Sequence, residues 1–242
     1  MSLSQQFHTR ACSAPFARCL VLAATLLLSG CNDDGKAEVK GIKEQVQRAY
    51  GTKDFAKVLT LSQKGLEVSR KALGDKATDT LYFVQGISEG YLAQHNMRGA
   101  MAALKQELDM RAGAGQAEAK LQKRRTLLIQ LAEENGDVMT AAAQAAAIAR
   151  GIEMAPGKDP QPVYQAPMTA RTTGEGDVDI SYNLDAAGSV TSAQVTHSNP
   201  PQVFDQVALD TFKKWRFTPM LDQSGRPVSA QGFKFTMMIR QR

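Results

Sequence analysis

GEGDVDISYNLDAAGSV, residues 174–190, is the stretch where the chain takes up a period of two. Val178, Ile180, Tyr182 and Leu184 share one side of an extended backbone, and Asp177, Asp179, Ser181 and Asn183 share the other. Strict alternation of this kind marks a half-buried strand. Asp185-Ala186-Ala187-Gly188 supplies a turn, and a second strand is expected over residues 190–198. Asn199-Pro200-Pro201 then opens a helix that puts Phe204, Ala208, Phe212 and Trp215 on one face. After a WRFTP segment and a turn at Asp222-Gln223-Ser224-Gly225, the last strand reads FKFTMMIR, residues 233–240. Phe233, Phe235, Met237 and Ile239 point inward there, while Lys234, Thr236, Met238 and Arg240 point out. The order strand, strand, helix, strand predicts a small α+β domain over residues 174–242.

Upstream the texture differs. Four of the nine prolines fall between Pro156 and Pro167. Such a stretch cannot continue a helix, so residues 155–173 are expected to form a semi-extended, proline-rich linker. Residues 37–154 contain no proline and are rich in Ala, Leu, Lys, Glu and Gln, with apolar residues at helical spacing. The stripes Phe55, Leu59, Ser62, Leu66, then Met97, Met101, Leu104, Leu108, then Val138, Ala141, Ala145, Ile148, Ile152 each read as the packed face of an amphipathic helix. Turn-forming residues break the pattern at 49–54, 93–99 and 133–137, with second breaks at 74–75 and 113–115. Gly51 to His95 is 44 positions and His95 to Asn135 is 40. Three helix pairs with a period near 42 resemble the longer class of tetratricopeptide-type repeat, with small residues such as Ala56 and Ala100 early in each second helix. An irregular helical bundle is the alternative. Within this region Lys123-Arg124-Arg125 reads as a solvated helix face, and Glu133-Glu134 as an exposed acidic pair.

The N-terminus carries Arg10 and Arg18 and no acid before Asp33. The apolar run CLVLAATLLL fills ten positions, 19–28, a length suited to a signal-peptide core and about half of what a bilayer needs. It ends in Leu28-Ser29-Gly30-Cys31, which resembles the bacterial lipobox: small residues at a cleavage point, then a thiol to accept diacylglycerol. Residues 1–30 are therefore expected to be a cleaved lipoprotein signal, Cys31 the lipidated first residue of the mature chain, and residues 31–36 a short polar tether. Cys12 and Cys19 leave with the signal, so the mature chain has no free thiol and no disulfide, which suits an oxidising envelope.

Removing residues 1–30 takes away Arg10 and Arg18 and no acid, so the formal charge falls from +5 to +3. That is too weak to argue for a nucleic-acid partner. His95 and His197 are the histidines that remain, and they sit in different domains. No His-x-x-x-His pair, Gly-x-Ser-x-Gly elbow or Walker loop is present, and Gly174-Glu175-Gly176 precedes a strand rather than a helix. No catalytic residue, metal, cofactor or small-molecule substrate is expected.

The C-terminal stretch resembles the C-terminal domain of the TonB family. GEGDVDISYNLDAAGSV, the SNPP turn, FDQVALDTFKKWRFTP over residues 204–219 and SGRPV over residues 224–228 match the family pattern in order and spacing. That pattern is a glycine-and-acid entry, a glycine hairpin at Gly188, a helix ending in Trp215-Arg216-Phe217-x-Pro219, and Gly-x-Pro-Val. The resemblance covers residues 162–242, about a third of the chain. The Tyr-Pro that often opens the family domain is broken, as Tyr164-Gln165-Ala166-Pro167. TonB itself has an uncleaved membrane helix and a long proline-rich spacer, whereas here a lipoprotein signal and a helical repeat region occupy those places. The resemblance thus implies a binding domain without energy transduction of its own.

In this family an extended peptide from an outer-membrane transporter can add beside the final strand, backbone bonds supplying affinity and side chains selectivity. The corresponding positions are Phe233, Lys234, Phe235, Thr236, Met237, Met238, Ile239 and Arg240, with Arg216 as a further contact candidate; Trp215, Phe217, Pro219 and Gly188 are expected to be structural. Between residues 174 and 242 there are seven acids and seven bases, six of the acids before Thr211 and all the bases after it. Two accounts stay open: cross-strand pairing of Asp177 and Asp179 with Lys234 and Arg240, or a basic edge favouring acidic peptides. The functional expectation is a non-enzymatic, lipid-anchored, periplasm-facing adaptor, with the outer membrane preferred over the inner. Its partners would be envelope proteins, either a transporter peptide or an assembly factor, and the repeats would offer a second grooved surface. A structural scaffold for envelope assembly or wall contact, with no peptide docking, is the alternative.

Overall fold

The computed structural model describes residues 27–152, 154–168 and 174–240. Most of the expected signal peptide and the Cys31 side chain lie outside the described residues. Among those residues no helix is long and apolar enough to cross a membrane.

The N-terminal part is six helices in three consecutive pairs: α1 (Leu27–Gly51) with α2 (Phe55–Leu73), α3 (Thr78–Ala93) with α4 (Met97–Gly113), and α5 (Glu118–Glu134) with α6 (Val138–Ala149). The repeat is written into the turns. Asp54, Asn96 and Asp137, 42 and 41 positions apart, cap the second helix of each pair. Their side chains accept the backbone N–H of Lys57, Gly99 and Thr140 at 3.0, 2.9 and 3.0 Å, a device worth about 1 kcal/mol each. The residue before each cap has a left-handed backbone: Lys53 (φ 55), His95 (φ 55) and Gly136 (φ 72). Each cap N–H then reaches five residues back, to the carbonyls of Ala49, Tyr91 and Ala132, at 2.9, 3.0 and 2.8 Å.

The same spacing recurs in the core. Val58, Ala100 and Ala141 are buried at equivalent positions, as are Ser62, Leu104 and Ala145, and Leu66, Leu108 and Ala149. In the first helices the buried sets are Val46, Ser88, Ile129 and Ile42, Val84, Arg125. One face per helix cannot be buried alone, so pairs must stack. Val138, expected on the packed stripe, is 53% exposed because it precedes the first inward position of α6.

Two expectations for flanking segments need correcting. The tether of residues 31–36 is part of α1. Its polar residues are compatible with helix: Lys36 pairs with Asp33 at 3.3 Å one turn away, and a Cβ on Gly35 would lie 2.9 Å from that of Ala72, so the backbone there packs on α2. The linker of residues 155–173 contains strand β1 (Pro162–Tyr164), antiparallel to β4 (Arg216–Phe217). Val163, Tyr164 and Ala166 are buried. Proline breaks helices but is tolerated at the first residue of an edge strand.

The C-terminal domain is built on β2 (Gly176–Leu184), β3 (Val190–Asn199) and β7 (Ala230–Ile239), an antiparallel sheet in the order β3-β2-β7. Helix α7 (Asp205–Phe212) covers its apolar face, with Phe204, Ala208, Phe212 and Trp215 buried as the sequence pattern predicts. β5 (Met220–Leu221) pairs with β6 (Pro227–Val228) in a small hairpin. The core of this domain is continuous with the array: Ile129, Ala132, Ala141, Ala145 and Ile148 belong to the same buried cluster as Val163, Tyr164, Ile180 and Phe217.

Candidate functional site

β7 is the sheet edge that the sequence singles out. Among the described residues its one neighbour in the sheet is β2, with Tyr182 opposite Phe233, Ile180 opposite Phe235, Val178 opposite Met237 and Gly176 opposite Ile239. Burial follows the expected alternation. Met237 and Ile239 are buried, Phe233 and Phe235 half-buried, and Lys234, Thr236, Met238 and Arg240 exposed. The strand begins with an irregularity at Gly232, whose N–H donates to Asn183 Oδ1 at 3.0 Å.

Beneath the edge lies an aromatic floor. The Tyr182 ring stacks on Phe217 at 5.1 Å and meets Phe212 and Phe233 at 4.9 and 5.5 Å. Phe235 contacts Phe212 and Trp215 at 5.7 and 5.0 Å. A cleft of about 500 Å³ opens between the Asp159-Pro160 segment and the start of β7, with Tyr182, Phe217, Phe233 and Phe235 in its walls. Burial first, and Asp159 second, push the Tyr182 hydroxyl up to about 12, so it stays a neutral hydrogen-bonding group.

The motif residues serve this floor. Gly188 has φ +80, and a Cβ there would sit 2.0 Å from the Phe217 carbonyl oxygen. Only glycine lets the β2–β3 turn dock this way, and Phe217 N–H donates back to Gly188 O at 2.9 Å. Trp215 and Phe217 are buried, and Pro219 stands between β4 and β5, where no helix can continue.

Arg216 is not on the edge. It is buried, its guanidinium pairs with Glu133 of α5, and Nη1 donates to Trp215 O at 2.9 Å. Nor is Glu133 on an exposed helix: its side chain is 9% exposed. Burial pushes its carboxyl up, opposed by Arg216 and Lys214. A second correction concerns the wet face. Asp179 lies opposite Thr236 and accepts its hydroxyl at 2.7 Å, Asp177 lies opposite Met238, and Lys234 lies opposite Ser181. The register is offset from the expected acid–base pairs, and Lys234 and Arg240 make no ion pair among the described residues.

Of the run Lys123-Arg124-Arg125, expected as a solvated face, Lys123 is exposed and the two arginines turn inward. Arg125 is 8% exposed and binds Glu118 and Gln144. Arg124 turns to the fully buried Glu107 and to Ser88. Among the described residues no group of three or more His, Cys, Asp or Glu side chains is placed to hold a metal ion.

Residues 160–237 match the family described as Gram-negative bacterial TonB protein C-terminal. No curated protein matches the chain.

Proposed function

We propose that the chain is a lipid-anchored, periplasm-facing adaptor whose C-terminal domain captures an extended segment of another envelope protein along β7. The observation that carries this reading is the position of β7: an edge strand with β2 on one side, a cleft against its start and an exposed basic row, Lys234 and Arg240, on its wet face. An extended peptide adding there would bond to backbone groups of β7 on the side away from β2, and acidic residues in it would meet the two cations. Phe233 to Arg240 are the contact residues of this reading, and an outer-membrane transporter peptide or an assembly factor is the partner. Lipidation of Cys31 supplies the membrane attachment, with the outer membrane preferred. The reading is non-enzymatic.

The test is residue-resolved chemical shifts of the mature chain, residues 31–242, during titration with N-terminal peptides of outer-membrane transporters. Changes concentrated on residues 230–240 are the expected result; changes confined to α7 or the β2–β3 turn reject docking at β7. One observation favours the rival reading of a structural scaffold: the sheet domain shares its core and the Arg216–Glu133 pair with the helical array. Under that reading envelope pull-downs would recover wall-associated or assembly factors, and no peptide would shift β7.

A further inference from the structure

We propose that the cleft between the first turns of α4 and the α5–α6 turn is a second docking site, for an acidic protein segment that also carries an apolar side chain. The cleft is about 440 Å³. From α4 it is lined by Arg98, Met101 and Lys105. Arg98 and Lys105 are seven residues apart, so the two cations stand on one helix face about 10 Å apart along the axis. Neither makes an ion pair among the described residues.

The facing wall offers Asn135, Asp137 and Thr140. Its one carboxylate is Asp137, which caps α6 by accepting Thr140 N–H at 3.0 Å; Thr140 chiefly, and Lys105 too, hold it below the usual range, so it stays ionised. The Asn135 amide donates to Leu131 O at 2.8 Å. The cleft therefore carries two cations, Arg98 and Lys105, against one carboxylate, a net charge of +1.

Next in the chain after Asp137 come Val138 and Met139, 53% and 81% exposed. They occupy the places of Met97 and Arg98 one repeat earlier. α6 ends the array and packs on β1 and β4, and its apolar first turn stays exposed. A net positive cleft with Met101 in its wall, followed by an exposed apolar turn, matches a segment with acidic residues flanking a Leu or Phe. A concave cleft of this size takes one or two side chains, which favours a protein segment over a flat bilayer.

The probe is a fluorescein-labelled peptide, Glu-Glu-Leu-Phe-Glu-Glu, titrated by anisotropy into the mature chain at low salt. Arg98→Glu with Lys105→Glu should weaken binding about tenfold or more and flatten its salt dependence, and Met139→Ser should weaken it about threefold. Lys57→Glu with Lys120→Glu, exposed cations that line neither cleft, should leave it unchanged. The substituted side chains are all exposed, and circular dichroism checks that the variants stay folded. Loss of binding in a Lys234→Glu with Arg240→Glu variant but not in the Arg98/Lys105 variant would move the peptide to β7, overturning this site while supporting the one above. No binding, equal binding of Lys-Lys-Leu-Phe-Lys-Lys, or preferential binding of phosphatidylglycerol vesicles would equally overturn it.

Discussion

The helical array and the sheet domain treat buried charge in opposite ways. In the array, Glu107 is fully buried and answered from within: Arg111 donates to it at 2.8 Å, and Arg124 reaches it from α5 while also donating to Ser88 at 2.6 Å. Arg111 continues to Gln85 at 2.9 Å, Gln85 to Glu89 at 2.8 Å, and Tyr50 donates to Glu89 at 2.6 Å. The array closes its own polar network across α1, α3, α4 and α5. In the sheet domain the buried charge is Arg216, and its carboxylate partner belongs to α5. The apolar contacts say the same, since β1 and β4 both pack on α6. The array's central network completes itself, whereas at the junction each region supplies the other's partner.

The strongest way to break this comparison is to separate the two. Residues 155–242 expressed alone would expose the β1–β4 face and leave Arg216 buried without Glu133. Thermal unfolding should show a fragment far less stable than the full chain, or one that does not fold; an unchanged melting temperature would show the sheet domain to be self-sufficient.

Within the array, Glu107→Ala leaves two guanidiniums facing one another without the carboxylate between them. Removing one partner of a buried ion network costs about 3–5 kcal/mol, and denaturant unfolding of the full chain should show a loss in that range. A change under 1 kcal/mol would mean water already solvates the network.

At the junction, Arg216→Met alone should cost about 3 kcal/mol by stranding Glu133. Adding Glu133→Leu should restore most of it, because a buried pair replaced by apolar groups of similar volume is close to neutral. Simple additivity of the two losses would show that the residues do not act as a pair.

A smaller effect tests the repeat. Asp54→Ala and Asp137→Ala should each cost about 1 kcal/mol as lost caps, while His95→Gly should stabilise slightly, because His95 holds a left-handed backbone that glycine adopts freely. The least effect on stability, within about 0.5 kcal/mol, is expected for Lys234→Glu with Arg240→Glu on the open face. Those variants should instead weaken acidic peptides at β7.

Much of the site could be read locally. The alternation of FKFTMMIR placed Met237 and Ile239 inside and Lys234, Thr236 and Met238 outside, and the structure keeps that assignment. The turns at Asp54, Asn96 and Asp137 were legible because capping is a short-range act between residues three apart. The wet-face pairing was not legible. Which residue faces Asp179 depends on the irregular register between Tyr182 and Leu184, which brings Thr236 there and sends Lys234 to Ser181.

What the sequence by itself determined is therefore what repeats or alternates: three helix pairs, one alternating sheet, the inward residues of each, and a glycine where the hairpin meets the Trp215-Arg216-Phe217 segment. These rest on backbone periods and on bonds between near neighbours. The tertiary structure alone decided where charge is buried. Arg216 and Glu133 are 83 residues apart, and Arg124 and Ser88 are 36 apart. No local pattern distinguishes a charge bound for solvent from one that will meet its partner across a packed interface, because the desolvation that sets its cost exists only once both surfaces have come together.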